Sequence, residues 1–374
     1  MSLRIGVLGG GQLGRMMALA GYPLNLSFSF FDRASDCPSA ALGPRFGDSQ
    51  DSLESLQAFI DSADVFTYEF ENIPTAWVNT IAAQKPVFPS VKSLAISQNR
   101  LNEKKLFAEL NIPSARFASI ESADDLKQAS QDLGLPLVVK TVTDGYDGKG
   151  QFLLRSADQI SECWDALGKQ TPLIAEEFIQ FKRELSIIAV RGQQGDTRFY
   201  PLAENHHHRG ILSHSIVPAP NLDENTQLMA ERYISSILHE MNHVGVLTLE
   251  LFETRHGLLA NETAPRVHNS GHWSIEGAHC SQFEKQVRAV AGLPLGSTRA
   301  EKPSAMLNII GRHPNSHEIL RVTDAHLHLY GKSERENRKL GHITVTADSY
   351  AELNMRISRL ADALPNPMAL HLSR

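Results

Sequence analysis

"LTLELFETRHGLLANETAPRVHNSGHW", Leu247 to Trp273, is the stretch on which the reading of this chain turns. Glu250 lies inside an apolar β run. Glu262 follows twelve positions later, on what reads as the neighbouring strand of a hairpin. Two carboxylates converging across paired strands repel one another. A bound Mg²⁺ removes that penalty, and this ion is usually held by one or two carboxylates together with substrate phosphates. Asn261 adds a further oxygen ligand. Arg266, His268, Asn269 and His272 come next, a set of side chains suited to anionic oxygen and phosphate. On this stretch alone the other reading stays open: two unrelated strand glutamates on a solvent face.

Upstream, "VVKTVTDGYDGKGQ" (Val138 to Gln151) delivers Lys140 on a strand and then a loop with Gly145, Gly148 and Gly150. Asp147 and Lys149 stand between the glycines. Glycines let backbone N–H groups approach an anion, and lysines add point charge. No G-x-x-x-x-G-K-[ST] leads into a helix, so this is not a P-loop. It suits a hairpin loop that folds over phosphates, or a plain surface hairpin whose turns need glycine. Next, "LIAEEFIQFKRELSI" ends one strand at Glu176 and Glu177 and places Glu184 in the following β run. A carboxylate there is able to accept hydrogen bonds from ribose hydroxyls. "AENHHHRG" holds His206, His207 and His208 on a strand. Consecutive strand residues alternate faces, so the three cannot share one metal; one imidazole facing phosphates remains. "YGKSERENRKLGH" gathers Lys332, Arg335, Arg338 and Lys339, either a basic surface turn or an anion clamp.

The N-terminus has a glycine pattern of its own. In "IGVLGGGQLGRMM" (Ile5 to Met17), Gly9, Gly11 and Gly14 fit G-x-G-x-x-G between an apparent strand and helix, and Asp32 ends the next apolar run. That is the layout of a dinucleotide-binding fingerprint. A glycine turn at a helix N-terminus nonetheless serves any phosphate.

The chain's 374 residues are too many for one ordinary core, so two or three domains are expected. With 42% hydrophobic and 21% charged residues, the composition is that of a soluble globular protein. The formal net charge of −6 argues against nucleic-acid binding through bulk charge, though not against a local basic pocket. Cys37, Cys163 and Cys280 are far apart and odd in number, which points to a reducing cytoplasm rather than a disulfide framework. No basic segment precedes a cleavable apolar stretch, so no secretory signal is expected. No run of apolar residues is long enough to span a membrane.

Residues 1 to about 90 alternate strands and helices, the pattern of a parallel sheet whose functional edge lies at the strands' carboxyl ends. The glycine loop and "EFENIP", with Glu69 and Glu71, both fall there. "SLAISQNRLNEKKLFAELNIPSARF" reads as a helical bridge. From "GLPLVVK" the pattern turns β-rich, with helices over Ser156–Leu167 and Glu224–Met241. A third region with three strands and a last helix starts near Ser304.

Taken together and in this order, "GGGQLGRM", "YEFENIP", "DGYDGKGQ", "APRVHNSGHW" and "RKLGH" resemble the ATP-grasp superfamily. The likeness covers nearly the whole chain. "DGYDGKGQ" marks only the superfamily. "APRVHNSGHW", the most specific block, points to its carboxylases of bacterial and fungal purine synthesis. The resemblance implies an α/β and α+β fold in a three-domain ATP-grasp architecture. Its parts would be an N-terminal parallel-sheet, Rossmann-like domain with helical bridge (1–112), a central ATP-grasp domain (113–302) and a small C-terminal β-rich domain (303–374). It implies a carbon–nitrogen ligase that uses ATP, with Mg²⁺, to activate bicarbonate as carboxyphosphate. The exocyclic amine of 5-aminoimidazole ribonucleotide would then capture the carbon dioxide released. A homodimer, with no nucleic-acid or membrane partner, is part of the same implication.

The resemblance also implies roles. Arg100, Lys140 and the loop Gly145, Tyr146, Asp147, Gly148, Lys149, Gly150 and Gln151 would hold ATP. Glu176, Glu177, Phe178 and Ile179 would contact adenine, mostly through backbone, Glu184 the ribose, and His207 the nucleotide. Glu250 and Glu262 would bind Mg²⁺ beside Asn261. Gln12, Leu13, Glu71, His268 and Asn269 would contact the ribonucleotide, and Lys332, Arg338 and Lys339 would grip its phosphate or the carboxyl group. Asp147 would orient or deprotonate the amine, and Arg266 would polarise bicarbonate or the phosphoryl group. Two features depart from the family pattern: Asn337 stands where a glycine is expected, and "AENHHHRG" is unusually rich in histidine. Asn tolerates the left-handed conformation, so the turn can survive. Three other readings compete: a formate-dependent glycinamide ribonucleotide transformylase, an NAD(P)-dependent oxidoreductase argued from Gly9, Gly11, Gly14 and Asp32, and a nucleotide-binding regulator without catalysis.

Overall fold

The computed structural model describes residues 2–47, 52–143, 145, 150–170 and 172–365. Its first sheet is parallel and has four strands, in the order Arg45–Phe46, Ser27–Phe31, Arg4–Leu8, Val65–Tyr68. The strands are apolar because helices cover the sheet. Ile5, Val7, Phe28 and Phe30 on one face merge with Val246, Trp273, Phe283 and Val287 of the middle of the chain into one buried cluster. The first sheet is thus welded to the central region rather than tethered to it.

The bridge is two helices, Val91–Ser97 and Arg100–Glu109, not one. Asn99 breaks it: its backbone is extended, and its side chain accepts from the Asn102 N–H at 3.0 Å. An Asn N-cap of this kind satisfies an N–H that the helix itself leaves unpaired. The second helix turns Arg100, Glu103 and Lys104 inward, where these two cations and this acid meet the rest of the molecule rather than solvent.

Beyond the bridge the chain builds two antiparallel sheets. The smaller has the order Phe117–Ile120, Leu173–Glu177, Leu137–Thr141, Gln151–Leu154. Helices Ala123–Asp132 and Ile160–Leu167 close its core around Ile120, Leu137, Val139 and Leu173. The larger has nine strands. Its path runs Gly257–Ala264, Gly245–Thr254, Arg183–Arg191, Ala203–His208, Ile211–Val217, Ser304–Ile310, Lys339–Thr346, Ala325–Leu329, and Thr197–Phe199 pairs with Arg183–Arg191. The C-terminal strands therefore extend the central sheet through the pairing of Ile211–Val217 with Ser304–Ile310. Helix Tyr350–Ala363 covers this end through Leu353, Ile357 and Leu360. Helices Ala123–Asp132 and Gln282–Val290 have no counterpart in the sequence reading, which places no element over those stretches. Among the described residues no helix is long and apolar enough to cross a membrane.

Three bulges interrupt the large sheet. Glu250 alone lies opposite Asn261 and Glu262, since Leu249 pairs with Thr263 and Leu251 with Ala260. Ser213 is the extra residue where His206 pairs with His214 and His207 with Leu212. Leu340 is the extra residue where Ile309 pairs with Gly341 and Ile310 with Lys339. A bulge re-aims side chains by bending and twisting its strand.

His243 ties the bridge to the large sheet. It is fully buried, 3.1 Å from both the Ser93 hydroxyl and the Val246 carbonyl. The carbonyl requires Nε2–H, so Nδ1 accepts from Ser93. Burial pushes its pKa down to about 3 from an ordinary 6.5. The folded state thus refuses a proton that the unfolded chain takes up below 6.5, and stability falls as pH drops from there towards 3. His243 alone should cost about 2 kcal/mol at about pH 5. Thermal melts from about pH 7 to about pH 5 should show a falling midpoint, and His243→Gln should make the slope shallower.

Candidate active site

A cleft of about 680 Å³ lies where the three regions meet. The first sheet contributes Gln12, Leu13, Glu69 and Glu71, and the bridge contributes Arg100. Lys140, Gly145, Gly150 and Gln151 come from the small sheet and its loop. The large sheet adds Glu184, His207, Glu250, Asn261 and Glu262, the segment after its edge strand adds Arg266, His268 and Asn269, and Lys339 comes from its C-terminal end. Residues separated by hundreds of positions in the chain thus share one wall. Tyr146, Asp147, Gly148 and Lys149, expected over the phosphates, lie outside the described residues.

The carboxylate pair is where the hairpin reading put it. Glu250 sits 3.2 Å from His268 Nε2. Burial works against its charge, but the His268 hydrogen bond and charge, with His207 and Lys339 beyond, outweigh burial and pull it down to about 2. Glu262 takes Arg100 Nη1 at 2.6 Å, and the same guanidinium donates to the Gly145 carbonyl at 3.2 Å. Each acid thus has its own basic partner, His268 for Glu250 and Arg100 for Glu262. Two carboxylates and an amide oxygen, all hard donors, are a set that fits Mg²⁺ completed by phosphate.

On the nucleotide side, Lys140 Nζ donates to Glu176 at 3.1 Å. Glu176, Glu177, Phe178 and Ile179 are not on the cleft wall in this conformation. Glu177 instead pairs with Arg116 at 3.0 Å, and Phe178 is 41% exposed. Glu184 binds His207 Nδ1. Burial would lower the His207 pKa, and Glu184 more than reverses this. Alternation along the strand is as expected: His207 reaches the cleft, while His206 stacks on His214 at 4.3 Å and pairs with Glu204.

On the opposite side, Arg266 places Nε and Nη2 on Glu71, the latter at 2.8 Å, and Nη1 on the Val267 carbonyl at 3.1 Å. Gln98 pins the Glu71 loop by donating to the carbonyls of Glu71 and Ile73, each at 2.6 Å. Asn269 exchanges hydrogen bonds with Asn308 at 2.7 and 3.0 Å. Lys332 donates to Gln12. The basic turn does not deliver all its charges: Arg338 folds onto Ser333, with Nη1 2.9 Å from Oγ, and is off the wall. Asn337 takes φ +60°, so Asn does stand in for glycine there.

Three family models match the chain in order. They are a ribonucleotide synthetase preATP-grasp domain over residues 2–98, an ATP-grasp domain over 105–283, and a phosphoribosylaminoimidazole carboxylase C-terminal domain over 304–356. N5-carboxyaminoimidazole ribonucleotide synthase of Pseudomonas aeruginosa is 47% identical over 96% of this chain and 98% of its own. The chain belongs to the N5-carboxyaminoimidazole ribonucleotide synthase family. It is an ATP-grasp, ATP-dependent ligase. The crystal structure of the Thermus thermophilus synthetase superposes with a TM-score of 0.94 at 44% identity, covering 98% of this chain and 100% of that one. A structure of the Aspergillus clavatus synthase in complex with ADP and 5-aminoimidazole ribonucleotide has a TM-score of 0.90 at 32% identity, covering 97% and 98%.

For a member of this synthase family, the N-terminal glycine loop has a notable occupant. Glu69, 6% exposed, accepts from the Gly11 N–H and from the Gly14 N–H, the latter at 2.6 Å. Asp32 accepts from the Gly10 N–H at 2.8 Å. The helix N-terminus that would receive a dinucleotide phosphate is thus filled by the protein's own carboxylate. Burial raises the Glu69 pKa, and the two backbone N–H groups oppose the rise. The sequence reading put Glu69 at this sheet edge without seeing that it plugs the loop. It also passed over Tyr330 and Phe252, two wall residues whose only signal is their position beside the basic turn and beside Glu250.

The plug makes a testable statement against the oxidoreductase reading. Nicotinamide fluorescence of NADH should not change on mixing with the protein. Glu69→Ala should lower the thermal midpoint by the equivalent of about 1–3 kcal/mol, because Gly11 and Gly14 lose their acceptor.

Proposed function

We propose that this chain carboxylates the exocyclic amine of 5-aminoimidazole ribonucleotide with ATP and bicarbonate, in purine biosynthesis, by way of carboxyphosphate. The single observation that carries the reading is the convergence, in one cleft, of the Glu250 and Glu262 pair, Lys140, and the Lys339 end of the C-terminal strands. In this proposal, Lys140 and Arg100 draw the nucleotide phosphates towards the acid pair. Glu250, Glu262 and Asn261 hold Mg²⁺, which when bound neutralises phosphate charge. The terminal phosphoryl group of ATP passes to a bicarbonate oxygen, giving ADP and carboxyphosphate. Transfer of this kind depends on positioning and charge neutralisation more than on covalent catalysis. Arg266, aligned by Glu71, faces the bicarbonate. Carboxyphosphate then releases phosphate and carbon dioxide, and the amine nitrogen bonds to the carbon while losing a proton to Asp147. Gln12, Leu13, His268, Asn269 and Lys339 position the ribonucleotide, with Lys332 and Arg338 on its phosphate once Arg338 swings from Ser333. The intermediate is hydrolysed easily, so the glycine loop over the phosphates must exclude water.

A homodimer in a reducing cytoplasm completes the proposal; Cys37, Cys163 and Cys280 are all buried free thiols. Light scattering reads the oligomeric state directly.

ADP release should require ATP, Mg²⁺ and bicarbonate, and should rise strongly with 5-aminoimidazole ribonucleotide. Release instead with glycinamide ribonucleotide and formate would replace the substrate assignment and keep the ATP-grasp chemistry. Glu262→Ala should abolish Mg²⁺-dependent turnover while circular dichroism stays unchanged; normal Mg²⁺ dependence would remove Glu262 from the metal site. Lys339→Ala should raise the KM for the ribonucleotide more than that for ATP, and equal increases would place Lys339 elsewhere.

A further inference from the structure

We infer that Lys104 is a positioning residue, the standing counter-ion of Glu176 that allows Lys140 to leave that carboxylate for the phosphates of ATP. The inference rests on the proposed role of Lys140 in holding ATP. Glu176 is buried behind the cleft, and its Oε2 receives two cations, Lys140 Nζ at 3.1 Å and Lys104 Nζ at 3.4 Å. Its Oε1 is buried and has no hydrogen-bond partner. Only one of the two lysines reaches the cleft wall: Lys140 does and Lys104 does not.

The lysines also differ in anchorage. Lys104 has a side chain only 2% exposed, and its ammonium donates to the Asn261 carbonyl at 3.0 Å. Asn261 belongs to the strand that carries Glu262 in the large sheet, whereas Glu176 belongs to the small sheet. Lys104 therefore bridges the two sheets and cannot follow a phosphate into the cleft. Lys140, 14% exposed at its side chain, has no such tether among the described residues and lines the cleft. A buried carboxylate stripped of its only cation is strongly unfavourable. With Lys104 in place, departure of Lys140 leaves Glu176 still paired. Without it, Lys140 is the one direct ion-pair partner left to Glu176 among the described residues, with Arg100 acting only at longer range, and Lys140 stays held there.

A positioning role gives the variants a sign that simple damage does not. Lys104→Met, close in shape but uncharged, should weaken ATP binding about tenfold or more, with Lys140 held by Glu176. Adding Glu176→Gln, which removes the charge and keeps the backbone, should restore affinity to within about threefold of the parent. Lys104→Arg should retain most of the affinity, since it keeps the cation. The measurement is calorimetric titration of ATP with Mg²⁺ into the full-length parent, the two single variants, Lys104→Arg and the double variant, each checked by thermal melting. Rescue in the double variant supports the inference. Additive or worse loss in a double variant that still melts cooperatively overturns it, leaving Lys104 with a packing role only. A parent that fails to bind ATP would instead overturn the proposed function, so the two failures are told apart. Should Lys104→Met not fold, Lys104→Gln with and without Glu176→Gln carries the same comparison.

Discussion

Glu250 and Glu262 face one cleft from paired strands, and two carboxylates stand together there because each has its own hydrogen-bonding partner. His268 serves Glu250 and Arg100 serves Glu262. Each of these partners is in turn held in place. Ser270 takes the second nitrogen of His268 at 2.9 Å, and Ser186 bonds Ser270 at 2.8 Å. Arg100 sits at the start of the helix capped by Asn99, which also carries Glu103 and Lys104. Glu103 fixes the next residue of the acid strand by accepting from the Thr263 N–H and hydroxyl, both at 2.6 Å. The short second bridge helix thus sets the register of the strand that carries Glu262 and the charge balance around Glu176 together.

That role explains why the bridge is two helices. A continuous helix through Asn99 would carry the side chains of 100, 103 and 104 on with the phase of the first helix. The break re-phases them, so that one face meets Glu262, Thr263 and Glu176. Such a change of phase is invisible to hydrophobic periodicity, which sees only that both stretches are helical.

The alternating pattern of the first sheet, the β runs of the rest and the acid pair were all legible in the sequence, because each rests on local spacing. What escaped were pairings between distant segments. Glu69 reaches the glycine loop across 55 and 58 positions, so G-x-G-x-x-G looks open until the chain is folded. The C-terminal strands read as a region of their own, and nothing in their composition says that Ser304–Ile310 completes the central sheet. The turn at Asn337 was legible, since Asn is a residue that accepts φ +60°. The resting position of Arg338 on Ser333 was not, because a flexible side chain's partner follows from what else is nearby.

The three bulges carry a consequence for how this sheet can vary in length. Each is a single extra residue placed beside a group that the cleft uses: Glu250 and Glu262, His207, and Lys339. In a regular ladder one residue more or less turns every later side chain to the opposite face. Loss of Leu340 would give tidier pairing, yet it would carry Lys339, on the same strand, out of the cleft. These strands should therefore tolerate exchange of one side chain for another far better than any change in residue count, with insertions or deletions expected only at the hairpin tips.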